Sequence, residues 1–151
     1  MIPAATQELI TRWRLGHVAT VTPGGRPSVS PKGTFLVIDE HTIAFGEIRS
    51  PQTVTNLTQN PECEVNFVDA FTRKGARLRG LGSMVRRDTA EFDALYPKFH
   101  EVWGDLCDRI NLIVKINVTE VKPLSTPPYD TGATEEEMIA LYKAKFSEMY
   151  P

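Results

Sequence analysis

Cysteine is scarce: only Cys63 and Cys107 occur in 151 residues, far apart and outside any CxxC spacing. That excludes a disulfide-stapled scaffold and a cysteine-ligated zinc module, and leaves two buried thiols in a reducing compartment as the expectation. No apolar run approaches the ~20 residues needed to span a bilayer, and the opening MIPAATQELITRWRLG lacks the basic and apolar regions of a secretory leader. A cytoplasmic protein with no membrane partner is therefore expected. Neither charge is in excess: 17 Lys and Arg against 19 Asp and Glu leave a formal net charge of -2, which gives no general attraction to nucleic acid. GxSxG, the P-loop pattern, GxGxxG and HExxH are all missing, and His17, His41 and His100 share no spacing. No catalytic side chain and no metal site are read from the sequence, so any chemistry is expected to be a cofactor's.

What the chain does contain is strand and turn chemistry on the scale of one domain, residues 1–151. Leu9, Ile10, Trp13 and Leu15 have helical spacing after Pro3, with Gly16 as the stop. From His17 the pattern turns to strands: HVATVT, a Gly24-Gly25 turn, a continuous PSVSPKGTFLVI, a polar turn at Asp39 to His41, and TIAFG. Ser50-Pro51 opens a helix as cap and first residue, and Asn60-Pro61 ends it. Glu62 to Val68 alternates so that Cys63, Val65 and Phe67 share a face, and Gly75 to Val85 forms a long strand softened at Gly80 and Gly82. Asp88 and Glu91 have capping-box spacing ahead of a helix through Phe92, Leu95 and Phe99, which Pro97 should kink or split. Asn111 to Val121 makes the last strand, with Leu112, Val114, Ile116 and Val118 on one face. Residues 123–151 then read as an extended Pro-rich connector and a terminal helix capped by Thr134 and Glu137, with Met138, Leu141 and Phe146 as packing positions. Hairpin-connected strands argue for an α+β fold with about six or seven mainly antiparallel strands and three or four flanking helices, able to close as a small barrel.

Three segments carry polar chemistry. In GEIRSPQT (residues 46–53) a strand runs into a helix N-terminus, where free N–H groups at Gln52 and Thr53, the hydroxyls of Ser50 and Thr53 and the Arg49 guanidinium could converge on a phosphate. The alternative is that Ser50 only caps the helix and Arg49 is solvated. In SVSPKGT (residues 28–34) alternation sets Ser28, Ser30 and Lys32 on one face, and Gly33 permits close approach to the backbone; the alternative is an exterior polar face that bends at Pro31 to Gly33. In FTRKGARLRG (residues 71–80) Arg77 and Arg79 share a face, as anion contacts or as edge charges that discourage sheet pairing.

Taken together, SVSPKGT, AFGEIRSPQTVTNL and VDAFTRKGARLRG resemble the FMN-binding split-barrel proteins of the pyridoxamine 5′-phosphate oxidase-like family, most fully from His17 to Arg86. The resemblance implies a split β-barrel, FMN as cofactor, and a homodimer with the cofactor at the subunit interface. By the family's motifs, Ser30, Pro31, Lys32, Gly33 and Thr34 would line the flavin ring or ribityl chain. Ile48, Arg49, Ser50, Gln52 and Thr53 would serve the phosphate, with Asn56 as an outer candidate and Lys74 and Arg77 reaching in from either subunit. Gln52 stands where many relatives place Lys or Arg, which removes one phosphate charge that Arg49 would have to replace. The Arg- and Trp-containing C-terminus of true pyridoxamine 5′-phosphate oxidases is not recognisable, so pyridoxal phosphate synthesis is not expected. An FMN-dependent oxidoreductase acting on a small molecule or reduced nicotinamide leads. A non-catalytic FMN carrier or electron-transfer protein comes second, and a barrel holding deazaflavin or heme third.

Overall fold

In the computed structural model, which describes residues 1–151, α1 (Ala4–Trp13) precedes β1 (Gly16–Val21), β2 (Pro27–Lys32), β3 (Phe35–Val37) and β4 (Thr42–Glu47). Next come α2 (Pro51–Gln59), β5 (Glu62–Val68), β6 (Gly75–Arg86), α3 (Ala90–Trp103) and a 3-10 helix (Gly104–Arg109). β7 (Leu112–Leu124), α4 (Pro127–Asp130) and α5 (Glu135–Met149) complete the chain. The strands form one antiparallel sheet in the order β2-β1-β5-β6-β7-β4-β3. It curls into a split half-barrel of the α+β class. The two edge strands, β2 and β3, are consecutive in sequence and are joined across the split by Gly33 and Thr34.

Period-two alternation divides the apolar residues between two cores. Inside the barrel, Ile43 and Phe45 of β4, Val114 and Ile116 of β7, and Cys63, Val65 and Phe67 of β5 pack with Ile10 of α1 and Leu57 of α2. Phe35 meets Phe45 and Phe67 at centroid distances of 5.2 and 4.9 Å. The intervening residues Ala44 and Ile113, with Val85, form an outer layer with Phe92, Leu95 and Phe99 of α3 and Cys107 and Ile110 beyond it. β4 is buried on both faces for this reason. No helix is long and apolar enough to cross a membrane.

Several local expectations are corrected. PSVSPKGTFLVI is two strands, because the chain leaves β2 after Lys32 and re-enters the sheet at its opposite edge. α1 stops at Trp13, with Arg14 in the left-handed region at φ 59, and Gly16 begins β1 instead of ending the helix. Thr89, not Asp88, caps α3: its Oγ1 accepts the Phe92 N–H at 3.2 Å, while Asp88 turns through φ 66. Pro97 neither splits nor ends α3. Asp93, whose carbonyl loses its i+4 donor, is solvent-exposed, so water can take the place of that bond.

The Pro-rich connector is also less extended than its composition suggests. β7 runs through Pro123 to Leu124, and Pro127-Pro128 starts a helical turn whose Tyr129 Oη donates to the Thr72 carbonyl at 2.6 Å. Thr134 and Glu137 form the capping box of α5. Met138 is buried and Phe146 sits edge-on to Phe71 at 5.2 Å, but Leu141 is 45% exposed. β6 lies inside the sheet, so Arg77 and Arg79 are not edge charges; both pair with Glu64 of the adjacent β5.

Candidate functional site

A cavity of about 300 Å³ opens where β2, the β4–α2 turn and the 3-10 helix meet, beside the split in the sheet. It is lined by Pro31, Lys32, Gly33 and Thr34, by Gly46, Ile48, Arg49 and Ser50, and by Leu106 and Arg109. Seven of the thirteen residues expected at a cofactor site are among them, and an eighth, Ser30, touches one. Local chemistry explains the placement. At the end of β2, Gly33 has nothing within 4 Å of where a Cβ would stand, leaving the backbone open to approach. The Thr34 hydroxyl donates to the Gly46 carbonyl at 2.9 Å and accepts the Gly46 N–H at 3.0 Å, so a side chain takes over the ladder where β3 has not yet begun.

Lys32 is the pivot. It is only 5% exposed, and its Nζ donates to Ser30 Oγ at 2.6 Å and Ser50 Oγ at 2.5 Å, 5.9 Å from the Phe45 ring centroid. Burial holds its pKa below the ordinary lysine value, partly offset by the attraction of Glu47. Ser50 therefore does not cap α2 with its side chain: the hydroxyl serves Lys32, and its backbone carbonyl takes the Thr53 N–H at 3.1 Å. Buried Glu47 accepts the Ser50 N–H at 2.5 Å and Asn111 Nδ2 at 3.2 Å. The N–H groups of Gly33, Thr34 and Arg49, and that of Gln52 in the first turn of α2, find no acceptor in the chain.

The lining thus contains three cations, Lys32, Arg49 and Arg109, and no carboxylate. Neither arginine forms an ion pair within the chain. Free N–H groups, a helix N-terminus and unpaired guanidinium groups favour an anion with several acceptor oxygens. No group of His, Cys, Asp and Glu is placed to hold a metal ion.

The remaining expected residues lie elsewhere. Gln52 Nε2 turns to Asn56 Oδ1 at 2.7 Å; Asn56 is wholly buried and donates to Thr20 Oγ1 at 2.9 Å, which ties α2 to β1. Thr53 is buried in the first turn of α2. Lys74 pairs with Glu135 at 2.8 Å beside a separate cavity of about 460 Å³ under α1. Arg77 faces Glu64 at 3.5 Å. Sequence reasoning did not single out Leu106, Arg109, Glu47 or Asn111 for this site. Asn111 was legible only as the start of a strand, and nothing in a short LCDR stretch distinguishes Arg109 from a solvated helix end.

Residues 2–126 match the sequence profile of the pyridoxamine 5′-phosphate oxidase family. No curated protein gives a significant match. Among solved structures, HupZ from Group A Streptococcus matches with a TM-score of 0.71 at 26% identity, over 83% of this chain and 96% of that one. HutZ, a heme storage protein from Vibrio cholerae, matches at 0.68 and 20% identity, over 81% of this chain and 94% of the other. An FMN-binding protein from Syntrophomonas wolfei matches at 0.66 and 14% identity, over 81% and 85%. The last two likenesses speak for the fold alone.

Proposed function

This chain belongs to the pyridoxamine 5′-phosphate oxidase family, and from that premise we propose that it is a cytoplasmic FMN-binding flavoprotein, an FMN-dependent oxidoreductase acting on a small molecule or reduced nicotinamide. The observation that carries this reading is the carboxylate-free cavity at the split, which combines cations and free N–H groups with open backbone at Gly33. The cations and N–H groups suit a phosphate monoester, and the bare Gly33 backbone suits a flat ring system. The lining has no His, Cys, Met or Tyr with which to ligate iron, which favours flavin over heme.

Arg49 and the first turn of α2 would hold the phosphate, while Lys32, fixed by Ser30 and Ser50, sets a positive charge beside Gly33. FMN, when bound, supplies hydride and electron transfer. The chain positions it and contributes no carboxylate, His, Cys or Tyr from this wall. The cavity is open on one side, with Leu106 39% exposed at its rim, and the reading includes a homodimer whose second subunit closes it.

The purified protein should show a flavin absorption spectrum, or quench added FMN on binding. A colourless protein that leaves FMN fluorescence unchanged would overturn the reading. The lack of a carboxylate, His, Cys or Tyr in the lining also favours a second reading, a non-catalytic FMN carrier or electron-transfer protein. Steady oxidation of reduced nicotinamide with an artificial acceptor separates the enzyme from the carrier.

A further inference from the structure

We propose that Arg109 is a second phosphate-binding guanidinium, forming with Arg49 a two-arginine clamp that selects a dianionic phosphate monoester over its neutral, dephosphorylated counterpart. The proposal rests on the flavin reading above and adds a residue that no sequence motif marks. Gln52 brings no charge to the start of α2, and its side chain is engaged by Asn56. The 3-10 helix supplies a cation from a different element, delivering Arg109 to the same lining as Arg49 and Ser50.

The placement is anchored. Two residues on, Asn111 Nδ2 donates to the Ile48 carbonyl at 3.1 Å and its backbone N–H donates to the Glu47 carbonyl at 2.8 Å. These bonds stitch the end of the 3-10 helix to the turn that carries Arg49. The chain's other cavity-free arginines are mostly spoken for: Arg77 and Arg79 pair with Glu64, Arg14 donates to the Phe35 carbonyl, and Arg87 donates to the carbonyls of Ile110, Cys107 and Asp108. Arg49 and Arg109 have no such partner and share a cavity that contains no carboxylate. Like charges facing one space repel, and an anion between them relieves that repulsion. A phosphate monoester carries about -1.5 to -2 charges at neutral pH, enough for two guanidinium forks.

The test is a fluorescence titration of the full-length protein with FMN and with riboflavin, comparing the parent with Arg109→Gln and Arg109→Lys. Arg109 is exposed and its side chain forms no ion pair within the chain, so both variants should match the parent in circular dichroism and thermal midpoint. Arg109→Gln should weaken FMN by about 10- to 100-fold and leave riboflavin within about twofold, with Arg109→Lys in between, since it keeps the charge and loses the fork. Unchanged FMN affinity in Arg109→Gln, or equal weakening of both flavins, overturns the clamp while leaving the flavin reading intact. A parent that binds neither flavin overturns both.

Discussion

A lysine that is 5% exposed, with two serine hydroxyls as its hydrogen-bond partners, is an unusual residue to keep. Its cost to the fold depends on pH. Burial lowers the Lys32 pKa from its ordinary value of 10.5, and Glu47 offsets part of the shift. Between the lowered value and 10.5 the unfolded chain holds a proton that the folded chain has released, so stability attributable to this group rises with pH there. Below the lowered value the burial penalty is felt in full. The unfolding free energy of the parent minus that of Lys32→Met should therefore increase as pH rises through this alkaline window, and denaturant titrations at a series of pH values measure it. A difference that stays flat would mean the ammonium is as well solvated in the folded chain as in the unfolded one. Cys63 titrates the other way: desolvation first, then the nearby Glu62 and Glu64, push its thiol up to about 12, so it offers no thiolate for catalysis. At this scale the sequence revealed the company Lys32 keeps through strand alternation with Ser30. It did not reveal Ser50, because that contact crosses from β2 to the start of α2.

Helix starts show how one residue type serves two purposes. Thr89 caps α3 through its hydroxyl, whereas Ser50, in the same position before α2, gives its hydroxyl to Lys32. Thr89→Ala should cost about 0.5–2 kcal/mol whether or not Lys32 is present. Ser50→Ala should destabilise the parent by about 1.5–3 kcal/mol and cost much less in a Lys32→Met background, because the bond it loses is the one to Lys32. A double-mutant cycle read by thermal or denaturant unfolding decides it; equal costs in both backgrounds would restore Ser50 as an ordinary cap. The strand pattern was readable because period-two alternation sorts residues to the two cores: Cys63, Val65 and Phe67 face inward, as do Leu112, Val114, Ile116 and Val118. The break after Lys32 was not readable, because Gly33 and Thr34 fit an extended segment as well as a crossing between sheet edges. The helix is not split at Pro97 for a related reason, since local propensity says nothing about the solvent that can satisfy the carbonyl of Asp93.

At the scale of the molecule, the proposed homodimer follows from a cavity with one open side and from apolar side chains left at the surface, among them Val29 at 66% and Leu106 at 39% exposure. Sedimentation velocity at micromolar concentration should find a dimer; a monomer that still holds FMN would remove the partner from the site. Arg109 could not be assigned to that site from sequence because it lies about sixty residues from Arg49, and only the β4–β7 pairing brings the two neighbourhoods together. That pairing also bears on how the chain folds. The β1–β2 and β3–β4 hairpins are local, but the two residues between them can cross the split only once the sheet has curled enough to bring its edges together, and the 3-10 helix can be placed only once β7 has docked on β4. Long-range closure of this kind is slow relative to hairpin formation. The pocket should thus be among the last features to mature: in stopped-flow refolding, quenching of FMN should track the slowest phase and lag behind the burial of Trp13 and Trp103. Flavin capture in an earlier phase would show that the seam forms before the sheet is complete. On this ordering, the proposed cofactor would recognise only a chain that has finished folding and selectively stabilise it by mass action, so its binding would act as a late proofreading step in biogenesis.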